Sequence, residues 1–300
     1  LTWLGSEGCV WANGVSIVRS KGRGICVMAN KAYSSTLSNK VMAIPVRLAL
    51  SFPAVDRASS SGLIRKGMVN MDALKILRLL RAQVFEDPEE RYTALKHLWC
   101  PDMLLEALSL ALIIHERFVR GDSSFWAHYL SLIPSSPEDM GAAHWPEKDL
   151  REALGLAPER GLDDGHGSCH YVLEEFQRKE DFIELAYENV LLPLVEIAKS
   201  EGAAAVFPEH ACTRENLRWA LATWRSRAMN LSSSIVSASY GLPFSSDDRP
   251  HKSARRNGSW GCMNNASRAV GALLPGLDFF NHSSYASSTF ERASISNHKT

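Results

Sequence analysis

The chain has 300 residues, of which 45% are hydrophobic and 22% charged, enough to bury one large core or two ordinary ones. Its 33 Lys and Arg balance 33 Asp and Glu, which excludes a global basic field for nucleic acid and an acidic, disordered composition. Its six cysteines (Cys9, Cys26, Cys100, Cys169, Cys212 and Cys262) form no Cys-x-x-Cys pair, so neither a zinc cluster nor a secreted disulfide framework is indicated.

The first residue is Leu rather than Met, and the first thirty residues lack the charged-then-apolar layout of a signal peptide. The expectation is that the natural N-terminus lies upstream, which leaves an intracellular compartment (cytoplasm, nucleus or plastid) open. From Val15 to Leu50 the pattern predicts short strands over Val15–Val18, Ile25–Met28 and Val41–Leu50, separated by Gly-rich and Ser/Asn-rich breaks. Pro45 cannot donate to a ladder, so the third strand reads as an edge or a bulge.

From about Asn70 the period becomes helical. Met71, Leu74, Leu77 and Leu80 or Ala82 fall on one face, with Asn70 or Asp72 as cap and Arg78 and Arg81 outside. Further helices are predicted over Asp102–Val119, Glu147–Leu154, His170–Leu185, Tyr187–Ser200 and Arg214–Met229. The apolar run from Met103 to Ile114 contains Glu106 and falls short of the roughly 20 residues a bilayer requires, so it reads as a core helix. From Leu231 to Ser267 the composition turns to Ser, Asn, Gly and Arg, which reads as a long, poorly ordered loop. The run from Ala269 to Phe280 is apolar again.

Three segments invite chemistry. Ser20-Lys21-Gly22-Arg23-Gly24-Ile25 lies between two strands, where glycines let backbone approach a ligand, or simply make a turn. Leu217-Arg218-Trp219-Ala220-Leu221-Ala222-Thr223-Trp224-Arg225-Ser226-Arg227 is a helix ending in an arginine, a residue suited to bidentate carboxylate recognition when it is not a solvated surface charge. Asp278-Phe279-Phe280-Asn281-His282-Ser283 follows an apolar run, and its Asn and His offer paired donors and acceptors, or a polar turn that ends a strand. Between them, His115-Glu116-Arg117-Phe118-Val119-Arg120 leads into Phe125-Trp126, Tyr129-Leu130 and Ile133-Pro134, with the aromatic residues spaced to anchor a helix.

In this order the segments resemble SET-domain protein methyltransferases of the Rubisco large-subunit lysine methyltransferase type. The resemblance implies an α+β fold, a β-rich core split by a large helical insertion. Residues 1–62 would form the N-terminal part of that core, and 63–230 the insertion and connecting helix. Residues 231–267 would be the Ser-rich loop, and 268–300 an incomplete C-terminal part. It implies S-adenosylmethionine as cofactor, held by Lys21, Gly22, Arg23, Gly24, Arg227, Asp278, Phe279, Phe280, Asn281 and His282. Most members carry an acidic residue where Lys21 stands. It further implies protein-lysine N-methyl transfer by a monomer, with histidine a rarer acceptor, and no nucleic acid, membrane or metal. The family's catalytic tyrosine lies in a Tyr-Gly turn beyond the Asn-His pair. Tyr285 is too close to that pair, and Tyr240-Gly241 precedes it, so the chain reads as truncated before the tyrosine. The other reading is a catalytically inactive interaction module of the same type.

Overall fold

The computed structural model describes residues 2–11, 15–20, 24–29, 42–62, 64–86, 101–141, 144–155, 167–232 and 269–275. In chain order these hold helix α1 (Thr2–Ser6), strands β1 (Val10–Trp11), β2 (Val15–Ser20), β3 (Gly24–Ala29) and β4 (Met42–Ala43), and helices α2 (Phe52–Ser60), α3 (Met71–Glu86) and α4 (Pro101–Ile114). After α4 come a π-helical turn (His115–Val119), α5 (Ala127–Leu130), α6 (Glu147–Ala153) and α7 (Gly167–Ala186). A second π-helical turn (Tyr187–Leu191), α8 (Leu192–Ser200), α9 (Arg214–Arg227), β5 (Ala228–Ser232) and β6 (Ala269–Leu273) complete the order.

Helix α4 is the centre of the core because its residues are apolar apart from Asp102, Glu106 and Ser109. Leu104, Ala107, Leu108 and the whole run Leu110 to Ile114 are buried. Its one buried hydroxyl is useful: Ser109 Oγ donates to Leu105 O at 2.7 Å and accepts from Phe52 N at 3.1 Å. That second bond satisfies an amide at the start of α2, where Ser51 Oγ caps Ala54 N at 3.4 Å. Helix α3 is capped by Asn70, whose Oδ1 accepts from Asp72 N at 2.9 Å and Ala73 N at 3.3 Å. Its buried face is Ala73, Leu74, Ile76, Leu77 and Leu80, while Met71 is exposed at 52% and does not belong to it. Arg78 and Arg81 both reach Asp56 on α2. Pro193, which has no N–H for the carbonyl of Asn189 four residues earlier, follows the second wide turn.

The expected α+β fold with a β-rich core is not what forms: the structure is mostly helical. Among the described residues the strands pair two by two, β1 with β4, β2 with β3 and β5 with β6, without merging into one sheet. The interior explains this. Among the residues whose burial is described, the main apolar cluster is built mainly from the helices and their connecting turns, joined by Leu273 of β6 and by Leu50 from a single bridge. The expected strand Val41–Leu50 is also broken. It pairs at Met42 and Ala43, passes Pro45, turns into a 3-10 helix at Val46–Leu48 and pairs again at the single bridge of Leu50 with Leu273; Pro45 has no N–H with which to continue the ladder. The helix expected to run to Met229 stops at Arg227, and Leu231 and Ser232, assigned to the Ser-rich loop, lie in β5. Residues 233–267 of that loop, and 268 and 276–300 of the last segment, lie outside the described residues. No described helix is long and apolar enough to cross a membrane.

Candidate functional site at the end of helix α9

Helix α9 starts at Thr213, whose Oγ1 accepts from Asn216 N at 3.2 Å, and buries Leu217, Trp219, Ala220, Leu221, Ala222, Thr223 and Trp224. Its end is abrupt. Ala228 is already extended (φ −70°, ψ 137°), so Arg227 is the last helical residue and the chain runs straight into β5. Strand β5 pairs antiparallel with β6 from Ala228↔Leu273 to Ser232↔Ala269. Leu273 also exchanges two backbone bonds with Leu50, which precedes the cap of α2. Three stretches far apart in sequence therefore meet at Leu273: the approach to α2, the end of α9, and the strand that leads to Asp278.

The sequence-predicted site residues divide accordingly. Arg227 stands at this junction, half-buried. Gly24 opens β3 and pairs with Ser20 in the β2–β3 hairpin, which is joined to no other described strand. Lys21, Gly22 and Arg23, and Asp278, Phe279, Phe280, Asn281 and His282, lie outside the described residues. Among the described residues, Arg227 thus lies next to the β5–β6 pair, and the β2–β3 hairpin pairs with neither of those strands.

The aromatic anchor acts as its spacing predicts. Trp126 is fully buried with Nε1 donating to Leu48 O at 2.9 Å, and Tyr129 is buried beside it. Phe125 stands edge-on to both Trp126 and Trp3. Trp219 Nε1 donates to Pro134 O at 2.8 Å, which ties the end of this segment to α9.

A buried polar cluster sits in the first π-helical turn. Glu116, with no exposure, accepts from Arg120 at 3.0 Å and from Ser124 Oγ at 2.5 Å. Arg120 also donates to the carbonyls of Gly67, Met68 and Ser123. Burial raises the Glu116 carboxyl above its usual range, while Ser124 and Arg120 oppose the shift. His115 is fully buried, with Nδ1 2.7 Å from Val206 O. A carbonyl only accepts, so Nδ1 carries the proton. Nε2 has no partner among the described residues, and burial pushes the pKa down to about 4. Every partner in this cluster is internal, so its role is to clamp the turn after α4 onto the loops at Gly67 and Val206.

A second group was not visible in the sequence reading. Helices α7 and α9 are laced by Glu184–Arg214 (2.9 Å), Glu180–Arg218 (2.8 Å) and Glu175–Arg225 (3.1 Å). Lys179 is buried in this seam and its ammonium is disfavoured by burial; His144, facing Lys179 and Arg225, is pushed down to about 4 by burial. The signal was present as Arg214, Arg218 and Arg225 on one helical face, set against Glu184, Glu180 and Glu175 in reverse order. Among the described residues no group of three or more His, Cys, Asp or Glu could hold a metal ion.

No protein-family model matches the chain, and no curated protein matches it.

Proposed function

We propose that the chain binds S-adenosylmethionine and serves protein-lysine N-methyl transfer. The reading rests on the sequence segments at Lys21–Gly24, His115–Pro134, Leu217–Arg227 and Asp278–Ser283, which follow the order of the Rubisco methyltransferase-like family. The single structural observation in its favour is the junction at Leu273. There the strand that follows Arg227 pairs with Ala269–Leu273, five residues before Asp278.

The residues fit the donor chemically. A half-buried guanidinium at Arg227 suits the carboxylate of the donor's amino-acid end. Asn281 and His282 add amide and imidazole donors and acceptors, and Asp278, Phe279 and Phe280 complete that segment. Gly22 and Gly24 let backbone flanked by Lys21 and Arg23 come close. When bound, the donor supplies a sulfonium methyl that passes in line to the lone pair of a neutral lysine amine. The chain's task is to hold the two in line, which is where most of the rate advantage in such a transfer arises. The acceptor is a lysine of another protein, histidine being the rarer alternative, and the working unit is a monomer.

Equilibrium dialysis with tritiated S-adenosylmethionine tests the reading. About one donor retained per chain, displaced by unlabelled S-adenosylhomocysteine and weakened by Arg227→Ala, supports it. A folded, helical chain that retains no label defeats it.

A further inference from the structure

Helix α7 is attached in two different ways along its length. Its last turns enter the main apolar cluster through Phe182, Ile183 and Ala186, and among the described residues nothing of the helix before Phe182 belongs to that cluster. The earlier part meets α9 through Glu175–Arg225 (3.1 Å) and Glu180–Arg218 (2.8 Å), pairs whose side chains are 24% to 45% exposed. Ion pairs open to solvent in this way contribute only about 0–1 kcal/mol each.

The inward stripe of the helix shows why the two parts differ. Leu173, Phe176, Lys179, Ile183 and Ala186 follow one another at intervals of three or four residues, the spacing of a single helical face. The central member of this apolar row is a lysine, and it is only 6% exposed. Its Nζ lies 3.3 Å from Glu180 Oε1 and 4.2 Å from the centre of the Phe176 ring. Glu180 is a shared partner, because its other oxygen accepts from Arg218. Burial disfavours the ammonium, Glu180 opposes that effect, and Arg218 and Arg225 add their like charge to it. A charge seated in an apolar stripe costs desolvation that an apolar side chain of similar size does not, and replacing such charges is often stabilising. Docking this part of α7 strips water from the ammonium; opening restores it.

We infer that Lys179 makes the part of α7 up to Glu180 a separately opening unit, which lifts from α9 while residues 182–186 stay in the core. Opening releases Arg218 and Arg225 of α9 from their glutamates, and the lysine sets how often it happens. Segments tied by solvent-open ion pairs rather than by buried apolar side chains are the ones that open below the global unfolding free energy.

Native-state amide exchange on the full chain tests this, with wild type compared with Lys179→Met. Methionine keeps the length of the lysine stem without its charge, and it strands no partner, since Glu180 retains Arg218. In wild type, residues 172–180 are expected to exchange at least about tenfold faster than 182–186, and to depend less steeply on low concentrations of urea, as a small opening exposes less surface than global unfolding. In Lys179→Met, exchange in 172–180 is expected to slow by about fivefold or more, the low end of the gain when a buried charge gives way to an apolar group. Equal exchange and equal urea dependence of the two stretches in wild type overturn the separate unit. Unchanged or faster exchange of 172–180 in a folded Lys179→Met overturns the role of the lysine. Should that variant fail to fold, Lys179→Leu is read by the same criterion, and the two wild-type stretches are compared regardless.

Discussion

Leu50 and Leu273 exchange both backbone hydrogen bonds, Leu50 N donating to Leu273 O at 2.9 Å and Leu273 N to Leu50 O at 3.1 Å. Both side chains are fully buried in the main apolar cluster. This one bridge draws residues from near the two ends of the described chain into the helical core, beside the last residue of α9. It is long-range in sequence, and it depends on apolar burial rather than on a broad sheet.

Truncation of Leu273 should therefore cost more than an edge-strand position would. Leu273→Ala is expected to lower unfolding free energy by about 2–5 kcal/mol, the range for a buried leucine that leaves a cavity. Urea denaturation followed by helical circular dichroism measures it. A loss under about 1 kcal/mol would mean that β6 is not seated in the core.

The Glu116–Arg120 pair makes a second prediction. Glu116 is wholly buried and the Arg120 side chain is 14% exposed, so removing one partner strands the other. Glu116→Ala is expected to cost about 3–5 kcal/mol. Glu116→Gln, which keeps an oxygen for Arg120 and Ser124, is expected to cost clearly less. Equal losses in the two variants would show that packing, not the hydrogen-bonded polar network, holds this turn.

His115 makes stability depend on acid. Its folded pKa is lowered from 6.5 to about 4, so the neutral form is favoured by folding and protonation favours the unfolded chain. The stabilising term is complete above pH 6.5, falls as pH drops below that value, and is gone below about 4. Between pH 7 and pH 5 it amounts to about 2 kcal/mol at 1.36 kcal/mol per unit. His144, also lowered to about 4, slopes the same way. The carboxyls of half-buried Glu106 and buried Glu116 are raised by desolvation, so protonating them favours the folded chain and opposes the slope at its acid end. The difference between wild type and His115→Gln isolates the His115 term. Parallel stability curves for the two proteins from pH 7 to pH 5 would remove it.

Much of the helical part could be read from the sequence because its periods are local. The face Leu74, Leu77 and Leu80, the cap at Asn70 and the largely apolar helix after Pro101 each follow from neighbouring residues alone. The role of Trp126 was legible for the same reason, since Phe125, Trp126 and Tyr129 mark an anchor by spacing. Alternating apolar runs at Val15, Ile25 and Val41 identify strands, but whether short strands merge depends on long-range partners, and among the described residues they stay in separate pairs. The bridge between Leu50 and Leu273 left no local trace. The salt-bridge ladder between α7 and α9 was in principle readable, because both helices carry their charges at helical spacing in opposite order.

We propose that the Asn281–His282 segment and Arg227 serve one donor site. Calorimetric titration of S-adenosylhomocysteine into wild type, Arg227→Ala and the double variant Asn281→Ala/His282→Ala tests it most directly, with circular dichroism showing that all three stay helical. The prediction is one-to-one binding to wild type, weakened by at least about tenfold, or 1.4 kcal/mol, in each variant. Equal binding by all three folded proteins, or no binding by any, would contradict it.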